Sequence, residues 1–538
     1  MLLKPGAVLL LLAALATTVP AQTTPLRVVD TSLNPLTLHP HRSFDPNSDV
    51  IISQVFEGLI DYDTQGELVP KLALAWRRQS PTRYRFWLRE GVTFHNGEPF
   101  EAEAVRFSLE RQFNRAARSA NSWLFDPDFH AKVVDRYTVD LITGQPDARL
   151  PYTLPMFVKI IPPRYWREVG DDGLARHPVG TGPYRFVSWE QGRLIQLEAY
   201  PHYWRPDLPR IKSVVFLFRP QSELVGDLLA GQVDLITKVR GNDTLRIMAA
   251  PNTKIIKHQV ASVFWAAMKN FDCPFADRRV RQAMNYAVNK AHLIQYVDKG
   301  NALSVPTMTT PVERDYNTHL QPYPFDPSRA ARLLAEAGYP QGFTVRVLVS
   351  EEAGDMIRAI RSQLQQVDVT LDLSIVPREE YLRQTLVPKL ETGRPKFDGE
   401  MVVWLTPNPT LDAFFNPAVI FCSQSPYSIM NAPVFDRLYF SFVKEIEPER
   451  RRESLFRLQD LMFSEAYGIY TSQLVRTYGL HRNLVVEIHP SGMLVGDTLA
   501  EAYWQNPGSP KPEKPQWPEA RPSGDGSAGE GNETGDYR

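Results

Sequence analysis

Cysteine is scarce in this chain: Cys273 and Cys422 are the two present among 538 residues. So few thiols exclude a multi-disulfide scaffold and a multi-cysteine zinc site. Neither sign of charge is in surplus, with 60 Lys and Arg against 61 Asp and Glu. A general electrostatic hold on nucleic acid or on an anionic membrane surface needs a basic excess, so both are excluded as partners. Beyond the first segment, no run approaches the roughly 18 consecutive apolar residues of a transmembrane helix. Motifs of catalysis and nucleotide binding are missing too: there is no G-x-S-x-G, H-E-x-x-H, Walker loop or G-x-G-x-x-G. The chain reads as a binder and not an enzyme, with no cofactor expected.

What is present is proline, 45 residues of it, in a chain 43% hydrophobic and 22% charged. That is globular composition with many turns between short elements. At roughly 100–200 residues per domain, the length allows about three or four domains. Residues 1–21 read as a signal peptide. Lys4 opens it, an apolar run from Ala7 to Ala16 follows, and Val19 and Ala21 suit the −3 and −1 positions, leaving Gln22 as the first mature residue. With no Cys at that junction, an exported protein without a lipid anchor is expected. From 505 to 538 the composition turns to Pro, Gly, Ser and charge, which cannot bury enough surface to offset ordering entropy. A disordered tail is expected there.

Periodicity is clearest between Phe325 and Val376. Asp326 and Pro327 form a helix start, Ala330, Leu333, Leu334 and Ala337 follow at helical spacing, and Gly338 ends the run. Phe343, Val345, Val347 and Val349 alternate as a strand, Ile357, Ile360, Leu364 and Val367 form a helical stripe, and Val369 to Ile375 alternate again. This order is α/β with a parallel crossover. A second helix is expected over Asp277–Lys290, with Val280, Ala283, Met284, Ala287 and Val288 inward and Arg281, Gln282, Asn285 and Asn289 outward. Leu455, Leu458, Leu461 and Met462 suggest another.

His39 and His41 are two apart and are an incomplete metal pair, so no metal is expected. Glu351–Glu352 and Glu379–Glu380 read as solvated charge, because chain neighbours do not face one another across a site. Cys273 and Cys422 have the option of pairing in an oxidising compartment, which depends on a Cα separation that sequence does not carry.

Six strings then occur in order: FEGLIDYDTQGELVPKLALAW at 56–76, LAWRRQSPTRYRFWLREGVTFHNGEPFEAEAVRFSLER at 74–111, HPVGTGPYRF at 177–186, LLAGQVDLI at 228–236, DRRVRQAMNYAVNK at 277–290 and FDPSRAARLLAEAGYP at 325–340. Together they resemble the family 5 extracellular solute-binding proteins, the peptide and nickel receptors of ABC importers. Asn96–Gly97 supplies a tight turn between a strand and a helix, and Gly180 and Gly182 permit backbone angles that a Cβ would block, most simply at a turn.

The resemblance implies a class II periplasmic binding protein of two lobes with a hinge and an extra inserted subdomain. Lobe I would be 22–47, 174–263 and 484–504, the insertion 48–173, and lobe II 264–483. A periplasmic monomer is expected, closing on a peptide-like solute and delivering it to a membrane permease with its ATPases. A metal chelate, haem or sugar conjugate as ligand, or a sensor or chaperone without transport, are the alternatives.

Peptide-binding members carry a loop resembling W-x-x-D-Y-x-D-P after a strand, whose Asp meets the ligand's α-amino group. Here the stretch is MVVWLTPNPTLDAFFNP, 401–417. Trp404 fits and is expected at the ligand, while Pro407 stands where the acid belongs. Asn408 and Asp412 are the remaining ligand-binding candidates, Asp412 as a substitute carboxylate from further along. Relatives often carry two Cys across 421–438; here Cys422 remains and Asn431 stands near the partner position.

Overall fold

Alternating and helical stripes become elements close to where they are expected, except that the helix expected over Asp277–Lys290 ends at Ala287 and another begins at Lys290, with Asn289 as its cap. In this computed structural model, residues 24–29, 35–43, 45–113, 122–385, 399–505 and 510–513 are described. The signal peptide over 1–21, and the tail from 505 apart from 505 and 510–513, lie outside them. Asp326 accepts the Arg329 amide at 2.8 Å and starts the helix Pro327–Glu336, which gives way at Gly338 with a left-handed φ of 91°. Strands Phe343–Ser350 and Val369–Val376 then pair in parallel across the helix Gly354–Leu364, a β-α-β unit. Strand Met401–Pro407 joins the other side of Phe343–Ser350, also in parallel.

Two long strands, Thr253–Met268 and Gly468–His481, run antiparallel through the middle of the large sheet. The later half of Thr253–Met268 pairs with Met401–Pro407. Toward the other end, Gly468–His481 pairs with the short strand Leu235–Ile236, itself parallel to Leu26–Val29. Beyond Leu26–Val29 the sheet continues through Ser213–Leu217, Leu194–Ala199 and Tyr184–Glu190. Two sub-sheets are thus joined by one pair of strands. Between Gln259 and Val263 that pair loses register, so that Val260, Ala261 and Ser262 stand opposite Leu474 alone.

Residues between Leu68 and Phe157 hold a separate antiparallel sheet. Its strands Ala73–Ser80, Arg83–Leu88, Thr138–Ile142 and His130–Asp135 lie in that spatial order, with helix Ala102–Phe113 packed on it. Its buried Phe86, Phe94, Leu109 and Leu141 belong to one continuous apolar cluster with Val402, Trp404 and Phe414. The inserted segment therefore shares a core with the strand expected to reach the ligand.

Several expectations are corrected. Arg281 and Asn285 do not face outward. Arg281 is buried against the Glu465 carboxylate at 2.8 Å and the Phe275 carbonyl at 2.8 Å, and Asn285 donates to the Gly468 carbonyl at 2.9 Å. A polar residue on an amphipathic helix goes inward where a neighbouring carboxylate or carbonyl satisfies it. Gly180 and Gly182 have ordinary φ; what they supply is space, because a Cβ at Gly180 would lie 2.0 Å from the Val55 carbonyl oxygen and one at Gly182 2.5 Å from that of Gln54. The cysteines are both free. Cys273 packs with the cluster containing Val403 and Met401, Cys422 with the one containing Val402 and Trp404, so the sheet separates them.

Candidate functional site

In open α/β sheets the carboxyl ends of parallel strands leave side chains and loops converging on a crevice. Here a cavity of about 220 Å³ lies at those ends. Phe343–Ser350 delivers Ser350 and Glu352, Val369–Val376 delivers Arg378 and Tyr381 on the following helix, and Met401–Pro407 delivers Trp404, Leu405 and Thr406. From the other sub-sheet, Lys238 follows Leu235–Ile236. Asn47 and Asp49 come from the helix Pro46–Val55, Phe157 from the inserted segment, and Arg476 from the long strand Gly468–His481. The lining is mainly apolar, and it is contributed by both halves of the large sheet and by the insertion.

The charged groups form one field. Arg378 bonds Glu352 at 2.7 Å. Burial alone would raise the Glu352 carboxyl, but Lys238, Arg378 and Arg476 outweigh it and hold it below the usual range. Arg476 is fixed by donating to the Gly492 carbonyl at 2.7 Å. Lys238 has a φ of 59°, a left-handed conformation uncommon for a residue with a Cβ. On the opposite wall, Asp45 caps the helix by accepting the Asn47 and Ser48 amides, and Asp49 accepts the Ser43 hydroxyl at 2.6 Å. Burial, and secondly the neighbouring Asp45, push Asp49 up to about 7.

Trp404 is at once packed in the core and part of the cavity wall. It is 6% exposed, packs edge-on to Tyr381 with centroids 5.9 Å apart, and lines the cavity. Its Nε1 is buried without a hydrogen-bond partner, and so are Thr406 Oγ1, two residues on and on the same strand face, and Arg378 Nε. Buried donors are seldom left unpaired, since each costs about 1–3 kcal/mol.

The other two candidates sit behind the wall and not on it. Asn408 is fully buried; its amide donates to Glu313 at 2.9 Å and to the Asp412 carbonyl at 2.8 Å, and its side-chain oxygen accepts from Thr410. Asp412 is also fully buried, paired with Arg451 and accepting the Phe414 amide at 3.2 Å. Both side chains hold their own loop, and neither lines this cavity. Pro407 does line the cavity, with no acid beside it on this strand.

His39 and His41 also have internal partners. His39 Nε2 lies 3.2 Å from Asp171 and His41 Nε2 is 2.8 Å from the Lys159 carbonyl, and burial pushes them down to about 4 and about 3. Among the described residues no group of three potential ligands holds a metal-like geometry. Sequence reasoning missed Lys238, Glu352, Arg378, Arg476 and Asp49. Glu352 was set aside as solvated charge. The available signal was position: Lys238, Glu352 and Arg378 each stand two residues past a strand end.

With the geometry in view, the likeness to known proteins is informative. A family model described as bacterial extracellular solute-binding proteins, family 5 Middle, matches residues 67–421. The glutathione-binding protein GsiB of Pectobacterium atrosepticum is 31% identical over 358 residues, 63% of this chain and 66% of that protein. Heme-binding protein A of Haemophilus influenzae is 31% identical over 315 residues, 54% of this chain and 57% of that protein. The matched part thus spans less than two thirds of either relative. Among solved structures, the chain superposes with TM-score 0.80 on DppA, an ABC transporter-associated periplasmic binding protein of Helicobacter pylori in complex with the peptide STSA, at 22% identity over 90% of this chain and 98% of that one. That likeness establishes the two-lobed α/β fold of the class II periplasmic binding proteins. In the described residues no helix is long and apolar enough to cross a membrane. The matched segment runs from the inserted sheet through the strand that carries Trp404, and the chain belongs to the bacterial extracellular solute-binding proteins of family 5.

Proposed function

We propose that this protein is the periplasmic receptor of an ABC importer, exported by cleavage before Gln22 and acting as a monomer. It encloses a small peptide-like solute between lobe I (22–47, 174–263 and 484–504) and lobe II (264–483), with 48–173 inserted, and presents it to a permease and its ATPases. One observation carries this reading: a largely apolar cavity, lined from both halves of the molecule, whose wall holds three buried donors without partners. Ligand groups supply the missing acceptors when the lobes close, and closure is how such folds bury a solute. The names of the relatives support a small-solute receptor, since they speak of glutathione and heme, and the DppA structure contains a peptide.

A solute that is not a free-amino peptide is favoured by a second observation. No acid stands at Pro407, and Asp412 is already paired with Arg451. An ammonium group beside Pro407 would lack the carboxylate that peptide-binding members supply there, and the acids of this cavity, Glu352 and Asp49, already accept from Arg378 and Ser43. Native mass spectrometry of the protein as purified from an exporting host tests the receptor reading. A retained species of a few hundred daltons is expected, together with a smaller radius of gyration than that of protein stripped by unfolding and refolding. A protein that carries no such species, and whose scattering curve is unchanged by the solutes of its growth medium, would overturn the reading.

A further inference from the structure

The atoms left open on the cavity wall are selective in kind. Trp404 Nε1–H and Arg378 Nε–H are donors only, and the Thr406 hydroxyl can donate. They call for acceptors. The charges point the same way: Lys238, Arg378 and Arg476 line the cavity, and the acids that line it are Glu352 and Asp49. One Glu352 oxygen bonds Arg378 at 2.7 Å, and one Asp49 oxygen accepts the Ser43 hydroxyl at 2.6 Å. The guanidinium of Arg378 uses Nη1 for Glu352, which leaves its buried Nε edge open. Such a fork suits a second carboxylate.

Resting on the receptor reading above, we propose that this cavity recognises its solute by a carboxylate seated at Arg378, in the field of Lys238 and Arg476, and requires no amine. Trp404 Nε1 and Thr406 Oγ1 take a neutral acceptor such as an amide carbonyl, and the apolar body lies against Met156, Leu382 and Val419. The ligand class is therefore a small amphipathic monoacid, such as an N-acyl amino acid. It is not an oligopeptide held by its amino end.

Calorimetry on the full mature chain, stripped by unfolding and refolding, tests this with four probes that share one side chain. N-acetyl-leucine carries the acid alone, leucinamide the amine alone, leucine both, and N-acetyl-leucinamide neither. N-acetyl-leucine should bind about 100-fold more tightly than N-acetyl-leucinamide, and leucinamide no better than N-acetyl-leucinamide. Arg378→Gln should bring the acid and the amide within about threefold of each other, and Arg378→Lys should recover part of the gap. Circular dichroism verifies that both variants fold. Equal binding of acid and amide, strongest binding by leucinamide, or indifference to Arg378→Gln would overturn the carboxylate seat while leaving a solute receptor. The same holds if native mass spectrometry finds a retained solute without an acid group. If no probe binds and no solute is retained, the inference and the receptor reading fall together.

Discussion

The cluster around Lys71 and the wall of the cleft are both buried and both rich in charge, yet they treat their polar atoms in opposite ways. At the first, Lys71 pairs with Asp497 and lies 3.7 Å from Glu57; Arg205 bonds Asp497 at 2.6 Å; and Tyr203 and Trp204 donate to Glu57 at 2.8 and 3.1 Å. Burial pushes the Lys71 ammonium down, but Asp497 and Glu57 outweigh it and its pKa lies above the usual value. Every charge there is answered from within, and the cluster ties the inserted segment to residues 203–205 and 497. At the cleft, Trp404 Nε1, Thr406 Oγ1 and Arg378 Nε are answered by nothing among the described residues. A closed polar network is architecture, whereas an open one of the same burial is a surface prepared for something else.

The largest effect should come from breaking the closed cluster. Lys71→Met leaves Glu57 without its cation and Asp497 with Arg205 alone, and the cost should be about 3–5 kcal/mol in urea unfolding. An unchanged midpoint would mean that the cluster is not the tie described. Next is crowding at the adjoining contact: Gly180→Ala places a Cβ 2.0 Å from the Val55 carbonyl oxygen. It should cost about 3 kcal/mol, the upper end for overpacking, by the same measurement.

A smaller effect concerns pH. His95 lies in that contact, 2.9 Å from the Gly182 carbonyl, and burial pushes it down to about 4. Its folded form stays neutral while the unfolded chain takes a proton below about 6.5, so stability from this residue is lost as pH falls from about 6.5 toward 4. Unfolding midpoints of His95→Gln against wild type across that window should differ in slope by up to about 1.4 kcal/mol per pH unit, with the variant flatter. Parallel slopes would mean that His95 titrates normally.

The smallest stability change, and the sharpest test of the comparison, is Trp404→Phe. Its Nε1 holds nothing in the chain, so unfolding should shift by less than about 1 kcal/mol. Affinity for the retained solute should fall about tenfold, the worth of one lost hydrogen bond of about 1.4 kcal/mol. A large loss of stability with unchanged affinity would make Trp404 plain core.

Much of the fold was legible because it rests on local periodicity. Val345 and Val347 alternate, Leu333 and Leu334 fall on one helical stripe, and Asp326 caps the helix; each is decided by near neighbours. Trp404 was legible by another route, the resemblance, as the aromatic that opens the loop of peptide-binding members. Asp412 was not, because its use is settled by Arg451, 39 residues later and on another helix. Nor was Glu352, whose adjacent acid Glu351 suggested a solvated pair. Its actual partner, Arg378, follows the next strand of a parallel sheet, and that neighbour relation exists only after the crossover folds. Spacing reports what one element can do, and a cleft is where several elements end.

One feature of the sheet governs how such a cleft can move. Along most of the two long strands, ladder bonds resist bending, but Val260, Ala261 and Ser262 lack their rungs. They are held instead by the Gln473 side chain on the Val260 carbonyl at 3.0 Å, by Ala261 N–H on the Pro490 carbonyl at 2.8 Å, and by Asn408 N–H on the Ala261 carbonyl at 2.6 Å. A ribbon bends most readily where its rungs are missing, so the closure proposed above would turn here, where the loop leaving the Trp404 strand is fastened. Rotation there sweeps the far edges of the two halves through the longest arc and shifts the ground beside Trp404 and Thr406 the least. The strand wall of Trp404 and Thr406 keeps its place, and what approaches it from the far edge of the other half is what changes.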